Sequence, residues 1–140
     1  MEEKVLFILR GVPGCGKSTV AQEIAKKHFT ATGDVICCAD DYHMVDGEYK
    51  WKAENQGYAH KACQNKCEFL MKANSPRIII ANTNTTNKEM KPYAEMANFY
   101  GYTVFYLVVE NRHGGKDAHN VPEDSLEAMA SRLRGSIELR

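Results

Sequence analysis

Residues 11–18 read Gly-Val-Pro-Gly-Cys-Gly-Lys-Ser and match G-x-x-x-x-G-K-[ST], the Walker A phosphate-binding loop, at every fixed position. No other stretch constrains the fold as strongly, because the loop works only between a buried strand and the first turn of a helix. An apolar run at 5–9 (Val-Leu-Phe-Ile-Leu) precedes it, and a helix-forming stretch opens at Lys17. Glycines let the backbone come close to a phosphate, so several N–H groups can converge on it. The helix N-terminus adds partial positive charge. Pro13, Gly14, Cys15, Gly16, Lys17, Ser18 and Thr19 are therefore the expected nucleotide-binding residues. Lys17 is expected on the β- and γ-phosphates and the Ser18 hydroxyl on Mg²⁺, with a nucleoside triphosphate as the implied ligand.

The chain of 140 residues is one domain's worth, so a single domain over 1–140 is expected. At 44% apolar residues it can bury a core. Lys+Arg and Asp+Glu are equal at 18 each, so the positive excess of a strongly basic nucleic-acid binder is missing. A local basic groove remains open. No apolar run approaches the roughly 20 residues that span a bilayer, and Met-Glu-Glu-Lys does not begin like a signal peptide. No membrane partner is expected, and a cytoplasmic location is. The five cysteines, an odd number, read as reduced thiols. His60, Cys63 and Cys67 share a helical face, which raises a metal site, but core packing is the expected role.

Apolar runs at 5–9, 35–39, 77–81 and 103–109 lack polar alternation, as parallel strands covered on both faces do. Helices are predicted over 17–29, 52–73, 87–100 and 122–133. Pro92 lies inside the third, which predicts a start nearer Pro92 or a kink there. The alternation, with the phosphate loop after the first strand, predicts an α/β, three-layer P-loop fold with a central parallel sheet of about four strands. Right-handed crossovers then bring the loop and the strand ends to one edge of the sheet.

The residues after each strand are therefore the candidates. Asp40, after the second strand, is placed to orient an acceptor hydroxyl and take its proton. A cap or an outer-sphere Mg²⁺ contact is the alternative for Asp40, and a cap or ion pair is expected of Asp41. Asn82 and Thr83 stand where many phosphate-loop proteins carry a metal-binding aspartate. Capping the next turn and touching substrate are both open for this stretch. Mg²⁺ would then rest on Ser18, the phosphates and Asp40. Arg112 and Lys116 flank glycines in a lid-like segment suited to closing a cation onto phosphates. Arg132 is a further candidate nucleotide contact. Trp51, between two lysines, can stack a base, but an anchoring role in the core is favoured. His43 either touches an acceptor phosphate or is exposed, and His60 is expected to make a buried hydrogen bond.

Taken together, these residues resemble the kinase domain of phage-type 5′-hydroxyl polynucleotide kinases. They also resemble the kinase-like modules of the NEDD4-binding-protein-2 and cyclic nucleotide phosphodiesterase group. The resemblance runs from the loop through Asp40-Asp41-Tyr42, Ala59-His60, Ala81-Asn82-Thr83-Asn84, Lys91-Pro92-Tyr93 and His119-Asn120-Val121-Pro122 to Met129 and Arg132. It implies Asp40 as general base, Lys17 and Ser18 as phosphate and metal contacts, and Arg112 as a lid arginine. Three positions depart from the pattern. Ala81 replaces an aspartate, Asn120 a glycine, and His43 an arginine that contacts the acceptor's 3′-side phosphate. The implied activity is ATP-dependent phosphotransfer to an alcohol, foremost a 5′-hydroxyl of DNA or RNA, with Asp40, His43 and Thr83 at the acceptor. A kinase of a small phosphate-bearing nucleotide or metabolite, or an ATP-binding module without turnover, is the alternative. Oligomeric state is left open.

Overall fold

A computed structural model describes residues 3–26, 34–111 and 121–137. The elements run β1 (Val5–Arg10), α1 (Lys17–Ala25), β2 (Ile36–Cys37), a 3-10 turn (Ala39–His43), β3 (Met44–Val45), β4 (Glu48–Tyr49), α2 (Ala53–Lys72), β5 (Arg77–Ile80), α3 (Asn87–Tyr100), β6 (Thr103–Val108) and α4 (Glu123–Ser136). Four strands form one parallel sheet in the order β2-β5-β1-β6. The central β1 places Phe7 between Ile79 and Phe105.

The period-two alternation of strand side chains divides the apolar core between the two faces of the sheet. Leu6, Ile8, Ile78 and Ile80 pack with Cys63, Cys67 and Leu70 of α2 and Met90, Tyr93 and Ala97 of α3. Leu9, Ile79 and Val35 pack with Ala21 and Ala25 of α1. The result is the expected α/β architecture of three layers. Among the described residues no helix is long and apolar enough to cross a membrane.

Several boundaries differ from the sequence expectation. β2 covers two residues, because past Cys37 the backbone leaves the sheet and Ala39 N–H donates to the Asn82 side chain at 2.8 Å. The third helix keeps Pro92 and starts at Asn87 all the same. Its first turn is held from outside: Thr86 Oγ1 accepts from Glu89 N–H at 3.3 Å, and the Glu89 carboxylate accepts from Thr85 N–H at 2.8 Å. Pro92 sits one turn in and removes only one helical hydrogen bond. Pro122 stands just outside α4 rather than in its first turn, and the helix runs on to Ser136. The β3–β4 hairpin was not expected. Its turn is Asp46-Gly47, with φ of 51° and 81°, the left-handed pair of a two-residue hairpin.

Arg10 ends β1 pointing inward. Its Nε donates to the Asn84 carbonyl at 2.8 Å and its Nη2 to the Ser136 hydroxyl. Burial pulls its pKa below the ordinary arginine value, with the nearby Glu89 acting in opposition. The sheet's central strand is thereby tied to the last helix.

Candidate active site

The phosphate loop is shaped by backbone constraint. Gly14 and Gly16 take φ of 85° and 101°, a region that L side chains avoid. Gly11 meets a different demand: a Cβ there would lie 2.5 Å from Cys15 Sγ and 2.7 Å from the Val109 carbonyl. α1 begins directly after Gly16, with no side-chain cap and no acidic residue in its first turn. Its first N–H groups and its dipole therefore stay available to an anion. Lys17 Nζ donates to the Gly11 carbonyl at 2.8 Å and the Val12 carbonyl at 3.1 Å, so the ammonium lies over the loop. Ser18 and Thr19 are exposed at the helix start. This cradle, its cation and a hydroxyl fit a polyphosphate with a hard divalent ion. Among the described residues no three His, Cys, Asp or Glu side chains gather as a metal centre. The residues thus fit a Mg²⁺ that takes most of its oxygens from phosphate and water.

A cavity of about 510 Å³ adjoins the loop. Pro13 and Lys17 line it from the loop, and Asp40 from the 3-10 turn. Tyr49 and Trp51 contribute from the hairpin and the segment after it, and Gln56 and His60 from α2. Ala81, Asn82 and Thr83 follow β5, and Ser125 and Met129 belong to α4. Parallel strands all end at this edge, which is why residues so distant in sequence meet here.

The polar stretch after β5 divides its labour. Asn82 Oδ1 accepts from Ala39 N–H at 2.8 Å, and its Nδ2 faces Cys63 Sγ at 3.6 Å and Tyr93 Oη at 3.5 Å. Asn84, left-handed at φ 48°, donates from Nδ2 to the Leu9 carbonyl at 2.7 Å. Both amides knit strand ends together. Thr83 accepts from Gly11 N–H through its carbonyl at 3.0 Å and lines the cavity. The Asn82 and Asn84 side chains therefore bond across strands and do not cap the next turn as foreseen for this stretch, and Asn82 is committed to Ala39.

On the opposite wall Asp40 is exposed, and Tyr49 Oη donates to its Oδ1 at 3.4 Å. Beside it lies a polar network around Gln56. Trp51 Nε1 can only donate, and it lies 2.9 Å from Gln56 Oε1. That orients the amide. His43 Nε2, 2.8 Å from the same oxygen, must then donate. His60 Nε2, 2.8 Å from Gln56 Nε2, must accept. Trp51 is 52% exposed, so the core anchor expected for it is corrected: its indole edge is held while its body stays outside the core. His43 is corrected in the other direction. It is 2% exposed, and its Nδ1 has no hydrogen-bond partner among the described residues. It supports the wall from within, so the exposed alternative foreseen for it does not hold.

Arg112 and Lys116 lie outside the described residues. Arg132 is exposed on α4 with Nε 3.5 Å from Thr85 Oγ1, away from the cavity lining. Cys63 and Cys67 are fully buried, as the core reading expected. Burial pushes the Cys63 thiol up to about 11 and that of Cys38 up to about 12, so both stay protonated at neutral pH. Sequence reasoning missed Tyr49 and Gln56. The Asp46-Gly47 turn was the available signal for the hairpin that carries Tyr49, whereas no local pattern marks Gln56 as the hub of a network.

Known proteins resemble this chain in sequence and fold. The chain is 35% identical over 102 residues to human NEDD4-binding protein 2, covering 73% of this chain and 6% of that protein. It is 35% identical over 111 residues to rat 2′,3′-cyclic-nucleotide 3′-phosphodiesterase, covering 74% of this chain and 23% of that one. The chain thus spans a small part of these relatives' length. A chain of the Pnkp1/Rnl/Hen1 RNA repair complex superposes with a TM-score of 0.71 at 20% identity, over 97% of this chain and 46% of that chain, and shares the fold. A family model described as an AAA domain matches residues 6–135, and with that span the chain belongs to the AAA_33 family of kinase-like P-loop domains.

Proposed function

We propose that the chain is an ATP-dependent kinase that transfers the γ-phosphate to a 5′-hydroxyl of DNA or RNA. The observation that carries this reading is that one cavity is lined both by Lys17 of the phosphate loop and by Asp40 across from it. Asp40 orients the acceptor hydroxyl and takes its proton. The acceptor oxygen bonds to Pγ as the bridging Pγ–O bond breaks, and ADP departs with the bridging oxygen. Lys17 and the N–H groups opening α1 stabilise the charge that builds on the phosphates. Ser18, with Asp40 nearby, would hold a Mg²⁺, which would supply neutralisation of the phosphate charge. Arg112 and Lys116 are proposed as the closing cations. The likeness to a chain of an RNA repair complex supports a nucleic-acid acceptor.

A second reading, a kinase of a small nucleotide's hydroxyl, is favoured by one observation. His43, where the resemblance expects a phosphate-contacting arginine, is buried. Labelled γ-phosphate transfer separates the two. The protein is offered 5′-OH DNA, 5′-OH RNA and a nucleoside 3′-monophosphate, beside Asp40→Asn. The expected result is label on an oligonucleotide, lowered about 10²–10⁴-fold in kcat by the substitution. Label on the mononucleotide alone selects the second reading. ATP binding without transfer to any acceptor overturns both.

A further inference from the structure

Trp51 is the chain's only tryptophan, and it is spent on a surface. A large aromatic side chain normally contributes most by burial, yet this one is 52% exposed and lines the cavity that also holds Asp40. Its position is not loose. The indole Nε1 is bound to Gln56 at 2.9 Å, and the His43 ring stands behind it at 6.2 Å between centroids. Gln56 is in turn held by His43 and His60, each at 2.8 Å. The backbone leading to it is paired too, with Lys50 N–H donating to the His43 carbonyl at 2.8 Å. Three polar side chains and a hairpin therefore orient one half-exposed ring that lines the cavity. Lys50 and Lys52 flank it in sequence and are exposed.

We propose that Trp51 is a stacking platform for the terminal nucleobase of the acceptor, and so a specificity-determining residue. This rests on the kinase reading above and narrows it to acceptors whose reacting sugar carries a base. An aromatic face recognises any base by its π-surface, and adjacent lysines attract the phosphodiester that follows. Asp40 lines the same cavity and takes the hydroxyl of the sugar attached to that base. The Gln56 network is a positioning device. It leaves Trp51 with no unpaired polar edge to turn towards solvent, and the face stays presented.

The test uses two single-stranded 5′-OH oligonucleotides that differ only at the first residue, one with adenine and one abasic. Trp51 fluorescence reports binding without turnover, since no other tryptophan contributes. The base-bearing strand is expected to quench it and the abasic strand to leave it nearly unchanged. Trp51→Ala is expected to raise KM for the base-bearing strand by about 5- to 150-fold, the range that a lost base–aromatic stack gives. Its KM for the abasic strand is expected to stay that of the unmodified protein. Trp51→Phe, which keeps a ring but loses the bond to Gln56, is expected to restore most of the loss. Equal effects of Trp51→Ala on both strands, or equal quenching by both, would overturn the platform. Quenching by the base-bearing strand alone without any transfer keeps the platform and removes the kinase reading. Transfer with no difference between the strands does the reverse.

Discussion

The two walls of the cavity are built by different means. The loop wall, from Gly11 to the start of α1, is a backbone object. Its shape follows from left-handed φ at Gly14 and Gly16 and from the lack of a Cβ at Gly11. The hairpin wall, from Asp40 to His60, is a side-chain object, held by the contacts of Gln56 with Trp51, His43 and His60 and by the bond from Tyr49 to Asp40. Backbone constraint admits few residue types and so leaves a motif. Side-chain networks admit many solutions and leave none. The first wall suits what every nucleoside triphosphate shares, and the second suits what distinguishes one acceptor from another.

That contrast can be broken most sharply at Lys17. Its ammonium bonds the Gly11 and Val12 carbonyls and the Cys15 sulfur, all within the loop itself, so Lys17→Ala is expected to leave the unfolding midpoint nearly unchanged. Phosphate transfer is expected to fall about 10²–10³-fold, as removal of a transition-state charge partner does. Transfer kinetics beside thermal unfolding check this, and unfolding at a much lower temperature would make the loop wall structural instead. Asn82→Ala is the opposite case. It leaves Ala39 N–H without its buried acceptor, and an expected loss of about 1–3 kcal/mol would be read from urea unfolding.

Cys63 sharpens the comparison from the core side. Burial raises its pKa from the ordinary 9.0 to about 11, helped by the neighbouring Cys37 and opposed by the hydrogen bonds to Tyr93 and Asn82. Below pH 9.0 the thiol is protonated whether the chain is folded or not, and stability does not depend on it. Between 9.0 and about 11 the unfolded chain releases this proton while the folded chain keeps it, so stability falls as pH rises. Cys63→Ser is expected to remove that share, of order 2 kcal/mol across the window, measured by urea unfolding at both ends of it. An identical alkaline decline in both proteins would show that other groups carry it. The smallest effect is expected at the hairpin turn. Gly47 has φ of 81° with open space around it, so Gly47→Val meets backbone strain and no clash. A cost of about 1–2 kcal/mol is expected, with acceptor KM raised a few-fold and nucleotide affinity unchanged. Equal changes in both constants would mean that the two walls are one unit.

The same contrast explains how far the sequence could be read. Four apolar runs located the sheet, and the Walker A spacing located the loop, because both are imposed by periodicity or by glycine. Asp40 was found because strand ends are where ligands gather in a parallel sheet. Trp51 reads as a core anchor and is half exposed, and of the two readings open for His43 the exposed one fails because the ring is buried. Nothing local says that an indole edge will be satisfied by Gln56, or that an imidazole will turn inward beneath it. Arg10 was passed over for the same reason. It reads as the polar end of a strand, and its partners, Asn84 and Ser136, lie 74 and 126 residues away.

Buried Arg10 has a mechanical consequence. It grips Ser136 at the far end of α4, and the Ser136 hydroxyl also donates to the Thr85 carbonyl at 2.9 Å. Near the other end, Ser125 and Met129 face the cavity. The helix is a beam clamped at one end. With about 1.5 Å of rise per residue, the ~11 residues from Ser136 back to Ser125 make a lever of about 16 Å. A tilt of about 10° at the clamp moves Ser125 by ~3 Å. A change in the Arg10–Ser136 joint would therefore be carried along α4 to the part of the cavity wall that Ser125 and Met129 form.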